Sequence, residues 1–196
     1  MRVILASSSK QRQEIFDRIG IKYEIITSNV EEESSKTEPE EYVKELSQNK
    51  AKSVASQIDG KAIIIAADTI IYMNGKIYEK PKTKEEAFKS MKEMSGKCTY
   101  AVTGVTIKDL YQEKEIVFSD IAEVYINKLS DEDIKWYVEN ETRITKCSGY
   151  VLLGKGSIFL NKVNGDYNTL FGISPSRVYD KLKELGYKIS DFELVD

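Results

Sequence analysis

Apolar positions along the chain switch between runs, alternation and helical spacing. "RVILA" is a continuous apolar run and predicts a buried first strand; "SSSKQRQEIFDRIG" then puts Ile15, Phe16 and Ile19 on one face, predicting a helix with Ser8 or Ser9 as N-cap and Gly20 as its stop. "YEIIT" predicts a second strand, followed by the polar loop "SNVEEESSKTE" and a helix from about Pro39 to Ile58. "KAIIIAADTIIYM", the dipeptide Asn74-Gly75 and "KIYE" read as two strands joined by a type I′ turn. A capping box at Thr83 and Glu86 opens a helix that closes at Gly96. "CTYAVTGVTI" and "IVFSDIAEVYI" predict long strands, "SDEDIKWYVEN" a capped helix, "YVLLGKGSIFLNKV" a hairpin, and a last helix runs from about Pro175 to Leu185. Strands and helices intermix with no repeat and no linker-like stretch, which predicts one α/β unit, residues 1–196, folded as two lobes.

Charges that break these patterns are the candidate chemistry. Asp68 sits inside the apolar run 63–73. A buried, unpaired carboxylate is costly, so it is protonated, paired with a cation, or placed where the strand breaks surface in a cleft. Lys50 shares a helical stripe with Val43, Leu46 and Val54, so it faces inward or lines a cleft, unless only its methylenes pack while the ammonium reaches water. Arg12 follows the "ASSS" turn at a helix start, where hydroxyls and N–H groups suit an anion; the alternative is plain capping with a solvated arginine. Glu31, Glu32 and Glu33 form an acidic loop that is either solvated or, facing Asp68, able to hold Mg²⁺ or Mn²⁺. Lys80 precedes Pro81, which restricts it to extended backbone, either a rigid perch or a surface turn.

Composition narrows the chemistry. The 196 residues carry a net charge of −3, which argues against duplex nucleic acid as the main partner. No apolar stretch approaches the length of a membrane span and no signal-peptide pattern is present, so the expectation is a cytoplasmic protein. There is no histidine, which removes Ser-His-Asp triads, Cys-His dyads and His-ligated zinc together. Cys98 and Cys147 are far apart and read as small core residues rather than a disulfide framework. Neither a P-loop nor a G-x-G-x-x-G fingerprint occurs. Carboxylates, amines, a guanidinium and a hard metal remain, the inventory for metal-assisted hydrolysis of a phosphoanhydride.

Ordered pieces of the sequence, "LASSSKQR", "EE" at Glu31 and Glu32, "NKAKSVA", "ADTII", Lys80-Pro81, "SGKCTYAVTGV" and "GKGSIFLNKVNGDYNTLFGIS", resemble the Maf (septum formation inhibitor) family nearly end to end. The resemblance implies a mixed twisted sheet with flanking helices, two lobes around a deep central cleft akin to inosine-triphosphate pyrophosphatases, and a homodimer. It implies cleavage of a nucleoside triphosphate between the α- and β-phosphates with Mg²⁺ or Mn²⁺. By position, Asp68 is the catalytic base, Glu32 with Asp68 holds the metal, and Ser7, Arg12, Lys50 and Lys80 bind substrate. Gln11, Thr69 and Leu153 occupy positions resembling those that separate the dTTP/UTP branch from the 7-methyl-GTP branch. Gln11 replaces an arginine and Leu153 a glutamine, while Thr69 agrees with the dTTP/UTP branch, giving a lean toward pyrimidines. "GISPS" in place of the family's G-L-P-L reads as a structural variation. The competing expectation is a nucleotide-binding regulator of septum formation with little turnover. Nucleic-acid binding ranks lowest, because the twelve tyrosines are scattered in strand-like alternation.

Overall fold

The longest apolar run becomes a strand buried along most of its length, Ile63–Met73. In the computed structural model, which describes residues 1–30, 33–152 and 154–195, the strands are β1 (Val3–Leu5), β2 (Glu24–Ile25), β3 (Ile63–Met73), β4 (Lys76–Tyr78), β5 (Cys98–Asp109), β6 (Lys114–Ile126) and β7 (Leu160–Asn164). The α-helices are α1 (Lys10–Ile19), α2 (Pro39–Ala55), α3 (Lys84–Met94), α4 (Asp131–Asn140) and α5 (Pro175–Glu184). The seven strands form one sheet in the order β2-β1-β3-β5-β6-β7, with β4 paired to β3 off this path. β1 runs parallel to β2 and to β3, with Leu5 opposite Ile65, whereas β4 and β7 pair antiparallel with β3 and β6. The sheet is therefore mixed and flanked by helices, the arrangement that the family resemblance implies.

The chain divides into two compact units, Met1–Asp68 with Thr103–Asp120 and Phe171–Asp196, and Thr69–Val102 with Ile121–Leu170. In the first, strand alternation decides the packing. Ile4, Ala6, Ile64 and Ala66 cluster with Ala51 and Val54 of α2, while Val3 and Ile65 line an apolar cavity of about 270 Å³ with Phe16 of α1 and Val178 and Leu182 of α5. A Cβ on Gly104 of β5 would lie 2.3 Å from the carbonyl carbon of Val43, so only glycine lets the backbone of α2 come this close. In the second unit, Met91 and Met94 of α3, Ile134 and Tyr137 of α4, Val124 of β6 and Phe159 form the core.

Local signals are honoured in most places. Asn74 and Gly75 both have positive φ, 51° and 78°, as a type I′ turn requires. Gly20 ends α1 with φ 70°. The Thr83 hydroxyl accepts from the N–H of Glu86, but the Glu86 carboxylate accepts from the N–H of Lys82, so the box is only half formed. Ser9 is the N-cap of α1 by position, yet its side chain makes no capping bond. α2 stops at Ala55, where the Ser56 hydroxyl turns back to the Ser53 carbonyl. The two cysteines form no disulfide and are half-buried rather than in the core.

Among the described residues, the hairpin expected over 150–163 does not form. Residues Gly154–Phe159 make a 3₁₀ helix, and only Leu160–Asn164 pairs, with β6. The Tyr137 hydroxyl accepts from the N–H of Val151 at 2.7 Å and donates to its carbonyl at 2.9 Å, so both groups Val151 would offer a strand partner are taken.

Candidate active site

β3 carries Asp68 on the same face as Ile64 and Ala66, the face against which α2 packs, and α2 turns Lys50 inward on its stripe with Val43, Leu46 and Val54. The two charges meet. Lys50 Nζ donates to Asp68 Oδ1 at 2.5 Å, with each side chain about a tenth exposed, 9% and 10%. Of the three ways to place a carboxylate in an apolar run, pairing with a cation is the one observed. A buried ion pair returns little net stability, because desolvation of both ions offsets their attraction, so its presence where two apolar side chains would fit points to chemistry. Lys50 does not snorkel.

The other cation works on the β1–α1 turn. Arg12 is 9% exposed; its Nε donates to the Gly172 carbonyl at 2.9 Å and its guanidinium to Ser7 Oγ at 3.2 Å. Ser7 Oγ also accepts from the N–H of Ser9 at 3.2 Å, so one buried hydroxyl ties the turn to the helix that follows. Arg12 thereby fastens the turn to the segment that leads into α5 and is not a solvated surface arginine. Ser8 is exposed and Gln11 half-buried.

In the second unit, Thr69 is half-buried and its carbonyl lies 3.5 Å from the Ser148 hydroxyl. The Glu79 carbonyl accepts from the N–H of Gly149 at 3.4 Å, and Lys80 follows as an exposed residue beside buried Pro81. The structure thus joins Lys50 to Asp68 and Arg12 to Ser7. Glu31, Glu32 and Leu153 lie outside the described residues.

Two participants were not anticipated from the sequence. Gly172, within the segment read as a mere variation, supplies the carbonyl that orients Arg12; its φ of 90° is the only local mark. Tyr137 appeared simply as a residue of a capped helix, although a tyrosine on a buried stripe needs a partner for its hydroxyl.

Among the described residues, no three His, Cys, Asp or Glu side chains gather as a metal site. The donor chemistry of Asp68 nevertheless fits a hard divalent cation. A carboxylate has about four lone-pair positions, Lys50 takes one, and Mg²⁺ or Mn²⁺ accepts one or two carboxylates with water and phosphate oxygens completing the shell.

A buried carboxylate paired with an ammonium, and a buried guanidinium bonded to a hydroxyl and a carbonyl, are the polar groups that this histidine-free α/β unit encloses. The sequence profile of the family described as "Maf-like protein" matches residues 2–185, and the chain belongs to that family. A dTTP/UTP pyrophosphatase of Thermoanaerobacter sp. (strain X514) is 38% identical over 93% of this chain and 96% of its own length. One from Carboxydothermus hydrogenoformans is 38% identical over 95% of this chain and 100% of its own, and one from Fusobacterium nucleatum subsp. nucleatum 36% identical over 96% and 97%. A solved HAM1 protein from Coxiella burnetii covers 94% of this chain and 99% of its own at 11% identity, with a TM-score of 0.47. No helix among the described residues is long and apolar enough to cross a membrane.

Proposed function

We propose that the protein is a nucleoside triphosphate pyrophosphatase that hydrolyses the α–β phosphoanhydride of dTTP and UTP, or of modified pyrimidine nucleotides, releasing the monophosphate and pyrophosphate. The observation that carries the reading is the buried Lys50–Asp68 pair, set in a chain whose 36–38% identical relatives bear that activity in their names. Asp68 is the general base. Lys50 engages Oδ1, so the attacking water is assigned to Oδ2, which takes its proton as the new O–P bond forms and the bridging P–O bond breaks toward pyrophosphate. Lys50, Arg12 and Lys80 offset the charge that develops on the phosphate oxygens, and Ser7 donates to one of them.

Asp68, together with Glu32, would hold Mg²⁺ or Mn²⁺, which when bound polarises the phosphate oxygens and lowers the pKa of a bound water. Gln11, Thr69 and Leu153 are assigned to base selection. Leu153 offers no hydrogen bond to a base edge, so discrimination there rests on shape. The protein is further proposed to act as a homodimer in the cytoplasm, in nucleotide house-cleaning.

Incubation with Mg²⁺ or Mn²⁺ and a panel of nucleoside triphosphates, followed by chromatography, tests the reading. Monophosphate and pyrophosphate from dTTP and UTP are the expected products. Release of orthophosphate refutes the site of cleavage, and nucleotide binding without turnover replaces the enzyme by the regulatory alternative.

A further inference from the structure

β5 grips α2 at two successive inward positions. The first is Gly104, where an added Cβ would lie 2.3 Å from the Val43 carbonyl and 2.6 Å from the Lys44 nitrogen, so strand and helix backbones touch there. The second is Thr106, on the same face of the strand, whose hydroxyl lies 2.8 Å from Ser47 Oγ. Both hydroxyl residues are fully enclosed, at 0% exposure. Ser47 Oγ also lies 2.8 Å from the Lys44 carbonyl oxygen, which can only accept, so the single Ser47 hydroxyl hydrogen goes there and Thr106 supplies the hydrogen of the Thr106–Ser47 bond. The resulting chain, Thr106 to Ser47 to the Lys44 carbonyl, ends on the backbone of α2 and ties the strand to the helix itself. Apolar residues of the same shape at both positions would leave stability nearly unchanged, because a buried hydrogen bond contributes little net once both partners are replaced. What the hydroxyls add is direction. Apolar packing tolerates a slide of the helix along the strand, whereas a satisfied 2.8 Å bond does not. Lys50 follows Ser47 on the same buried stripe, about 4.5 Å further along the helix axis. It is 7% exposed, so its stem cannot swing aside to absorb a shift of α2, and its contact with Asp68 Oδ1 is short, at 2.5 Å.

We propose that Thr106 and Ser47 are positioning residues for Lys50: their hydroxyl chain fixes the register of α2 on β5, and with it the seat of the Lys50 ammonium on Asp68 Oδ1. The inference rests on the reading of Lys50 and Asp68 as the pair that performs the chemistry. Neither hydroxyl touches substrate; both act through the helix that carries Lys50. A reacting group must be held to within about 0.5 Å of its productive place, a tolerance that directional bonds meet and apolar contact alone does not.

The test sets Thr106→Val, which keeps the branched shape and deletes the hydroxyl, beside Thr106→Ser, which keeps the hydroxyl and deletes a methyl group. Each folded variant is assayed with Mg²⁺ on dTTP and UTP. For Thr106→Val the expected result is a fall of about tenfold in kcat with KM within about twofold of wild type, because Lys50 is assigned to charge that develops as the bond breaks. Thr106→Ser should keep kcat within about twofold of wild type. A purely structural role gives the reverse order, since the lost methyl leaves a cavity in a fully enclosed site. Thr106→Val with wild-type kcat, or Thr106→Ser as impaired as Thr106→Val, overturns the proposal. Lys50→Gln, which keeps a donor for Asp68 and removes the charge, separates the two layers. Unchanged turnover in Lys50→Gln overturns the underlying reading of the pair; impaired Lys50→Gln beside unimpaired Thr106→Val overturns the positioning alone. Adding Thr106→Val to Lys50→Gln should cost less than about twofold more, and a further tenfold loss overturns the claim that the hydroxyl acts through Lys50. Should Thr106→Val not fold, Ser47→Ala removes the middle hydroxyl in favour of a strong helix former and is expected to lower kcat equally; wild-type kcat there overturns the proposal.

Discussion

The Lys50–Asp68 pair and the stretch at Tyr150 and Val151 are held in place by opposite means. The pair stands on two regular elements: α2 and β3 each present one charge because their periods of 3.6 and 2 put positions 50 and 68 on facing sides. The Tyr150–Val151 stretch owes its place to side chains that reach it, the Tyr137 hydroxyl at Val151 and the Thr99 hydroxyl at Tyr150. Regular elements hold the buried ion pair, and hydroxyl cross-braces hold the stretch at Tyr150 and Val151. A change at Asp68 should therefore abolish chemistry, whereas a change at a brace should loosen only the stretch it holds.

The largest effect is expected at Asp68. Asp68→Asn keeps the size and can still accept from Lys50, but it cannot take a proton or bind a cation well; turnover should fall by about a thousandfold or more while the circular dichroism spectrum stays native. Near-native turnover in the folded variant would remove Asp68 from the mechanism. Next comes stability. Lys50→Met strands the Asp68 carboxylate, and denaturant unfolding should show a loss of about 3–5 kcal/mol. Adding Asp68→Leu to Lys50→Met should restore stability to within about 1 kcal/mol of wild type without restoring activity. A double variant as unstable as the single would mean that the pair contributes net stability rather than chemistry alone.

A smaller effect belongs to the turn after α4. Glu141 is buried and accepts from the Arg143 N–H at 3.0 Å and from its Nε at 3.1 Å. Burial pushes the Glu141 carboxyl up, but the hydrogen bonds from Arg143 outweigh it and hold the group below its ordinary value of 4.5. A depressed folded value means that the carboxylate adds stability above pH 4.5, lost as pH falls through the lower folded value. Glu141→Gln should thus be less stable than wild type at pH 7, with the gap closing below pH 4.5 in thermal melts. A gap independent of pH would refute this. The smallest effect is at Lys92–Asp131, a pair with side chains 57% and 64% exposed; Lys92→Ala should change stability by less than about 0.5 kcal/mol in the same melts.

Legibility follows the same divide. The Asn74-Gly75 turn, the α4 cap at Ser130 and the inward stripe of α2 could be read because each depends on residues within one or two turns of each other. The 150–163 segment was misread because its apolar residues fit a strand pattern, while the groups that prevent pairing come from Tyr137 on another element. Gly172 stayed hidden for a related reason. A backbone carbonyl has no sequence signature, and Arg12 meets it across 160 positions.

The sequence by itself determined the alternation that makes β3 a buried strand, the oddity of Asp68 within it, the absence of imidazole chemistry, and the ordered motifs of the Maf family. Tertiary structure alone decided that Lys50 is the partner of Asp68, that Arg12 reads a serine and a carbonyl, and that Val151 is held by a phenol. The physical reason is range. Hydrophobic periodicity and turn chemistry act between neighbours in the chain, whereas a buried charge or hydroxyl must find its partner in space, and folding chooses which one it finds.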